Sequence, residues 1–284
     1  MLFKRKIFYL ISYLLVFNLQ CKKEKLSDDT YFNSKVMILG HSGIGVNYKM
    51  PRNTYESIAP LIGIGADGSE IDVQMTKDSV LVLYHDRTLN ASTSCTGRIN
   101  EYTWEEIKAC KYLSVKDDIF IYKLDEVFSR IPNLQDLYFS FDSKLDDEVV
   151  DIDMYQSQYI RAVKNICAKY SMTDNVLIEG PQNYLMKVKS MGLANKLFLL
   201  TSLTQANIDT ATKYSFFGLS VDINEFYIDA DNAHDKGLYV MGYDPDNYYS
   251  NLDAIKKKVD ILQTDDPISI LKHFERYNYD YIIP

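Results

Sequence analysis

Gly65-Ala66-Asp67-Gly68-Ser69-Glu70-Ile71-Asp72-Val73-Gln74-Met75-Thr76-Lys77-Asp78, followed by Tyr84-His85-Asp86, is the stretch on which the reading of this chain turns. Apolar Ile71, Val73 and Met75 alternate with polar neighbours, and Val80, Val82 and Tyr84 do so in part, so both runs read as strands. Too few residues separate them for a parallel crossover, and an antiparallel hairpin is expected. With the turn centred near Lys77-Asp78, the position opposite Glu70 is His85, which brings two carboxylates and an imidazole together. Taken alone, Glu70-Ile71-Asp72 reads as a solvated strand face. The glycines before it and the His-Asp pair after it make it a candidate site.

Outward from this hairpin, short apolar runs recur over 36–39, 69–73, 137–141, 176–178, 197–200, 218–221, 239–241 and 261–263, each followed by a segment of helical character. Stretches such as 155–170 and 252–259 have helix length and spacing. Alternating strands and helices predict an α/β chain closed as a (β/α)8 TIM barrel. The count requires 80–84 to be the return arm of the hairpin and 87–132 to be an excursion between strands two and three, with helices around 104–109 and 124–129. A doubly wound open sheet shows the same alternation and stays open as the alternative fold. In the barrel register His41 follows the first strand, Asp72 lies near the end of the second, Asp142 closes the third and Thr264-Asp265 closes the eighth. Those are the strand ends where such barrels carry their active sites. His234 and His273 fall in helical segments and read as surface residues, and Asp265 either helps shape the site or caps a helix starting near Pro267, the cap being favoured.

Composition sets the outer bounds. The 284 residues, 46% hydrophobic and 25% charged, suit one large core. The net charge is −8, and it becomes −11 once Lys4, Arg5 and Lys6 of the first twenty residues are set aside, which argues against a nucleic-acid partner. Those basic residues precede an apolar run from Ile7 to Leu19, too short for a stable membrane span, so 1–20 reads as an export signal. Cys21 and Lys22-Lys23 follow directly, in a pattern that resembles a bacterial lipoprotein signal with Cys21 lipidated. A plain cleaved signal and an N-terminal anchor remain alternatives. The polar stretch 21–35 reads as a tether, with the folded domain over 36–284. The expected location is therefore a lipoprotein held to the outer membrane, in the periplasm or at the cell surface. In that oxidising setting Cys95 and Cys110 are a candidate pair, and Cys167 is left as a free thiol buried in a helix. No cysteine-histidine cluster supports a zinc or redox role.

Several motifs stand in one order: Gly40-His41-Ser42-Gly43, Pro51-Arg52-Asn53-Thr54, the 65–78 stretch quoted above, Tyr84-His85-Asp86, Phe141-Asp142-Ser143-Lys144 and Gln263-Thr264-Asp265-Asp266-Pro267. Together they resemble the glycerophosphodiester phosphodiesterases over about residues 36–270. The resemblance implies a (β/α)8 barrel that hydrolyses glycerophosphodiesters with a divalent cation and two histidines. It implies Glu70, Asp72 and Asp142 as metal ligands, His41 and His85 as the acid–base pair and Lys144 as a phosphate contact. It further implies that a glycerol hydroxyl attacks first, giving a cyclic phosphate. The chemistry agrees, since three carboxylates without thiolates form a hard oxygen site suited to Ca2+ or Mg2+. Imidazoles titrate near neutrality and suit proton transfer.

Two positions depart from the family pattern. Ser42 stands where arginine usually follows the first histidine, and Arg52 stands where glutamate usually precedes Asn-Thr. Arg52 is a candidate for restoring the phosphate-binding charge, with a surface arginine at a helix start as the plain alternative. Tyr243 replaces a frequent tryptophan and bears on head-group fit. The spaced glycines of Gly63-Ile64-Gly65-Ala66-Asp67-Gly68 precede a strand instead of following one, so no nucleotide cofactor is expected. Two other functions stay in view: a phospholipase C or D acting on intact lipid, and a barrel that binds phosphodiesters without turning them over.

Overall fold

The computed structural model describes residues 36–45, 48–145 and 148–284. The expected leader over 1–20, the tether over 21–35 and Cys21 lie outside the described residues. Along the described chain run β1 (Met37–Gly40), α1 (Tyr55–Gly63), β2 (Gly68–Met75), β3 (Leu81–Leu83), α2 (Trp104–Ile107), β4 (Tyr122–Lys123), α3 (Leu124–Arg130) and β5 (Tyr138–Ser143). After them come α4 (Ile152–Tyr170), β6 (Val176–Gly180), α5 (Gln182–Ser190), β7 (Lys196–Leu200), α6 (Gln205–Lys213), β8 (Gly218–Asp222), α7 (Asp231–His234), β9 (Tyr239–Tyr243), α8 (Tyr248–Lys256), β10 (Ile261–Thr264) and α9 (Pro267–His273). Strands β1, β2 and β5 to β10 pair in parallel, and β1 closes the ring by pairing with both β2 and β10. The fold is thus a closed eight-stranded (β/α)8 barrel, and each apolar run read from the sequence is one of its strands.

Alternation along the strands builds the interior in layers. Met37, Leu39, Tyr138, Leu177, Phe198, Met241 and Ile261 pack as an apolar floor inside the ring. Two residues further along their strands, Ser140, Glu179 and Gln263 form a polar layer with Ser220 of β8. Ser140 Oγ and Gln263 Nε2 each donate to Glu179 Oε1 at 2.5 Å, and Ser220 Oγ donates to Oε2. The intervening residues, among them Ile38, Ile71, Phe139 and Ile178, face the helices in the main core. Burial on both faces is why parallel strands read as apolar runs. Gly68, at φ +156°, opens β2 where a Cβ would lie 1.7 Å from the Tyr138 carbonyl oxygen, so only glycine allows β2 and β5 to approach there.

Strand β2 outruns the barrel. Its first residues, Gly68 and Ser69, pair with β1, while Val73 to Met75 pair antiparallel with β3 on the edge that β1 has left. The hairpin is real, but its register is one residue away from the expected one. Val73 pairs with Leu83 and Met75 with Leu81, and Tyr84 N donates to Asp72 O at 3.1 Å. Continuing that ladder places His85 across from Ile71, not Glu70. The turn is centred on Asp78, with Thr76 N bonded to Val80 O and Ser79 at φ 64°, one residue longer than the sequence reading allowed. Beyond β3, the excursion packs a small core of its own around Val82, Tyr84, Leu89, Ile99, Ile107 and Tyr112, and Cys95 is bonded to Cys110 within it. Cys167 is free and buried in α4.

Candidate active site

The third layer of the barrel is ionic. Asp72 and Asp142 are paired across β2 and β5, and Glu70 lies two residues below Asp72 on the same face. One oxygen from each of these carboxylates lies within 4.8 Å of the others. Lys144 Nζ is 2.6 Å from Asp142 Oδ2 and 3.1 Å from Asp72 Oδ1, and its backbone N–H donates to Val73 O. Glu70 and Asp72 are buried, while Asp142 and Lys144 keep some solvent access.

Two short turns hold these carboxylates. Ser42 N donates to Glu70 Oε2 at 2.7 Å and Ser42 Oγ donates to Asp72 Oδ2 at 2.8 Å. Asn53 Nδ2 donates to the same Asp72 oxygen at 2.6 Å, and Asn53 Oδ1 accepts from Asp72 N. Ser42 and Asn53 have φ of 54° and 61°, a left-handed conformation that costs about 1 kcal/mol or more for a non-glycine residue. Asn53 N also donates to Ser42 O, so the two turns brace each other. The fully buried Ser42 therefore orients the acidic cluster, and no cation stands at this position.

His41 leaves the end of β1 with its N–H on Thr264 O at 2.9 Å. Its Nδ1 lies 2.9 Å from Asp265 Oδ1 and 3.7 Å from Asp244 Oδ1, and its Nε2 faces Glu70 Oε2 at 4.0 Å. Asp265 is therefore the partner of His41, the less favoured of its two sequence readings, and not the helix cap. The neighbouring Asp266 caps α9 by accepting from Ser269 N. His85 stands on the other flank, its Nδ1 2.9 Å from Arg52 Nη2 and 3.0 Å from Asp86 Oδ1. Arg52 can only donate and Asp86, ionised, can only accept. A bare Nδ1 therefore accepts a hydrogen bond from Arg52, and a protonated Nδ1 donates one to Asp86. Arg52 sits beside this histidine, with its Nη2 also 3.4 Å from Asp86 Oδ1. Away from the site, His234 is half-buried against Asp260 at 3.0 Å and His273 contacts the Tyr248 hydroxyl at 3.1 Å.

The local fields follow from this crowding. Burial, and then the Asp72 charge, pushes the Glu70 carboxyl well above the usual range. Burial would raise Asp72 too, but the Lys144 and His85 charges and the Asn53 and Ser42 hydrogen bonds bring it below its ordinary value. Burial would lower His41, yet the Asp265 hydrogen bond and the Glu70, Asp265 and Asp72 charges push it up to about 10. Burial would likewise lower Lys144, and Asp72 and Asp142 raise it instead. Burial, and then Asp142, raises Glu179 beneath them. One lysine against three clustered carboxylates leaves negative charge that a divalent cation would balance. The all-oxygen donor set fits a hard ion.

All seven residues singled out in the sequence, His41, Arg52, Glu70, Asp72, His85, Asp142 and Lys144, lie at or beside this cluster. Sequence reasoning missed Asp265 as a histidine partner, Asn53 and Ser42 as supports of Asp72, and Glu179 below them. Asn53 carried a signal in its place within Pro51-Arg52-Asn53-Thr54, whereas Glu179 is hidden in an apolar run.

Comparison with known proteins agrees with this geometry. The family model described as "Glycerophosphoryl diester phosphodiesterase family" matches residues 41–269. A glycerophosphodiester phosphodiesterase of Caldanaerobacter subterraneus is 28% identical over 254 residues, covering 84% of this chain and 97% of the relative. Among solved structures, a phosphodiesterase of Oleispira antarctica in complex with the product sn-glycerol-3-phosphate superposes with a TM-score of 0.70 at 19% identity, covering 86% of this chain and 99% of that one. A glycerophosphodiester phosphodiesterase of Parabacteroides distasonis gives 0.70 at 18% identity, with 84% and 97% covered. With barrel, acidic cluster and flanking histidines in place, the match over nearly the whole described domain makes this chain an enzyme of the glycerophosphoryl diester phosphodiesterase family.

Proposed function

We propose that this chain hydrolyses glycerophosphodiesters to sn-glycerol 3-phosphate and an alcohol, with one divalent cation, Ca2+ or Mg2+, and with His41 and His85 as the acid–base pair. The observation that carries the reading is the convergence of Glu70, Asp72 and Asp142 between two histidines, each backed by its own aspartate. A cation held by the three carboxylates would neutralise charge on the nonbridging phosphate oxygens. Lys144 adds a fixed positive charge at the same edge, and Arg52 adds another beside His85.

Proton transfer is the work of the side chains. Asp265 holds His41 so that Nε2 faces the acidic cluster, and Asp86 can accept a hydrogen bond from Nδ1–H of His85 in the same way. One imidazole takes the proton of the attacking glycerol hydroxyl while the other protonates the departing oxygen. Water then opens the cyclic phosphate with the two roles exchanged, which returns both rings to their starting states. The sequence alone supports export and attachment through a lipidated Cys21, and we include that location in the proposal.

A coupled assay for released glycerol phosphate, run with glycerophosphocholine, glycerophosphoethanolamine and glycerophosphoglycerol, tests the reading. Turnover that is lost on chelation, restored by Ca2+ or Mg2+ and reduced about 10²- to 10⁴-fold in His41→Ala is the expected result. Cation binding without turnover of any diester would leave a binding barrel instead. Turnover confined to intact phospholipid would move the activity to the phospholipase class.

A further inference from the structure

The excursion leaves a cavity of about 580 Å3 against the flank of the site, between the 48–52 segment and residues 84–114. Its wall includes Lys49, Arg52, His85, Asp86, Ser92 and Tyr112, so it opens onto the second histidine. The wall is rich in unspent donors. Tyr112 is only 4% exposed, and its hydroxyl has no hydrogen-bond partner among the described residues. Lys49 is exposed, with no ion-pair partner among them. The one acid, Asp86, is already engaged by Ser92 Oγ at 2.9 Å, by His85 and by Arg52. The Tyr112 ring is buried while its hydroxyl is left free to meet a polar group in the cavity.

We propose that this cavity is the subsite of the leaving alcohol, and that it accepts a polyhydroxylated alcohol such as glycerol or inositol in preference to a quaternary ammonium head group. The inference rests on the phosphodiesterase reading above and deepens it. A quaternary ammonium is recognised by open aromatic faces and unpaired acids. Here Tyr84 and Tyr112 are 1% and 4% exposed, the half-buried Tyr48 is a single aromatic face tied through its hydroxyl to Pro284 O at 3.1 Å, and two cations, Lys49 and Arg52, line the same space. Hydroxyl groups can instead accept from Lys49, Arg52 and Tyr112 and donate to Asp86 or Ser92.

The test compares kcat/KM for glycerophosphoglycerol and glycerophosphoinositol with that for glycerophosphocholine, which share the glycerol phosphate and differ only in the leaving alcohol. The full-length parent should favour the polyol diesters by about tenfold or more. Tyr112→Phe should lower that ratio by about three- to tenfold, the worth of one hydrogen bond. Lys49→Ala, on an exposed side chain, should lower it in the same direction and guards against a Tyr112→Phe variant that fails to fold. Preference for the choline diester, or a ratio unmoved in both variants, would overturn the subsite and leave the hydrolase reading standing. If no diester is turned over, the hydrolase reading falls. The subsite is then judged by calorimetric binding of glycerophosphoinositol against glycerophosphocholine. Tighter binding of the inositol diester, weakened in Lys49→Ala, keeps the subsite, and equal binding removes it.

Discussion

The barrel rim and the excursion beside it serve the same site by different means. On the rim, parallel ladders fix Glu70, Asp72, Asp142 and Lys144 to within one register step, and buried turns at Ser42 and Asn53 lock the carboxylates from above. The excursion has only short elements, a small separate core and the Cys95–Cys110 bond to hold its shape, yet it supplies His85 and the wall of the cavity. The acidic cluster and His41 sit on the rigid frame, while the irregular segment carries His85 and, in the subsite proposed above, the discrimination between alcohols. Such a division lets one barrel keep its reaction while its loops change its substrate.

The sharpest way to break this comparison is to disturb a support on the rim. Asp265→Asn removes the group that orients His41 and should lower kcat by about 10- to 100-fold, as loss of an orienting partner does elsewhere. The same variant carries a pH signature. In the ion-free protein His41 is raised from 6.5 to about 10, so its proton contributes stability that is fully present below about pH 6.5 and is lost as pH rises through about 10. Asp265→Asn should therefore lower the thermal midpoint of chelated protein more at pH 6 than at pH 10. An equal loss at both would show that the Asp265 contact does not hold the proton.

A smaller and more local effect is expected in the excursion. Replacing both Cys95 and Cys110 by serine opens a loop of sequence separation 15, worth about 3 kcal/mol in the chain-entropy model. Hydrogen exchange should then quicken over 88–121 while β5 to β10 keep their protection. Loss of protection throughout the barrel would mean that the two regions unfold as one and that the division drawn here is false.

The same contrast explains what the sequence made legible. The eight barrel strands were readable because burial on both faces leaves an apolar run, and the acid and histidine positions because the chemistry restricts residue type at strand ends, whereas Lys144 came only from the family resemblance. Three features were hidden for physical reasons. Asp265 and Asp266 are adjacent acids before a helix, and only geometry shows which one caps Ser269 N and which one holds His41. The β2–β3 register slipped by one because Ser79 takes a left-handed conformation and lengthens the turn, a choice its residue type does not announce. The cavity beside His85 joins segments more than thirty residues apart, so no local pattern marks it.

The central claim is that the acidic cluster at the ends of β2 and β5 takes a divalent cation and, in doing so, displaces protons held in its absence by Glu70 and His41, both raised by their surroundings. Calorimetric titration of Ca2+ or Mg2+ into chelator-stripped protein at pH 8, repeated in buffers of different ionisation enthalpy, tests it directly. The account predicts one site per chain, a buffer-dependent enthalpy that reports proton release, and loss of binding in Asp72→Ala. No binding by either cation, or binding that survives Asp72→Ala unchanged, would contradict it.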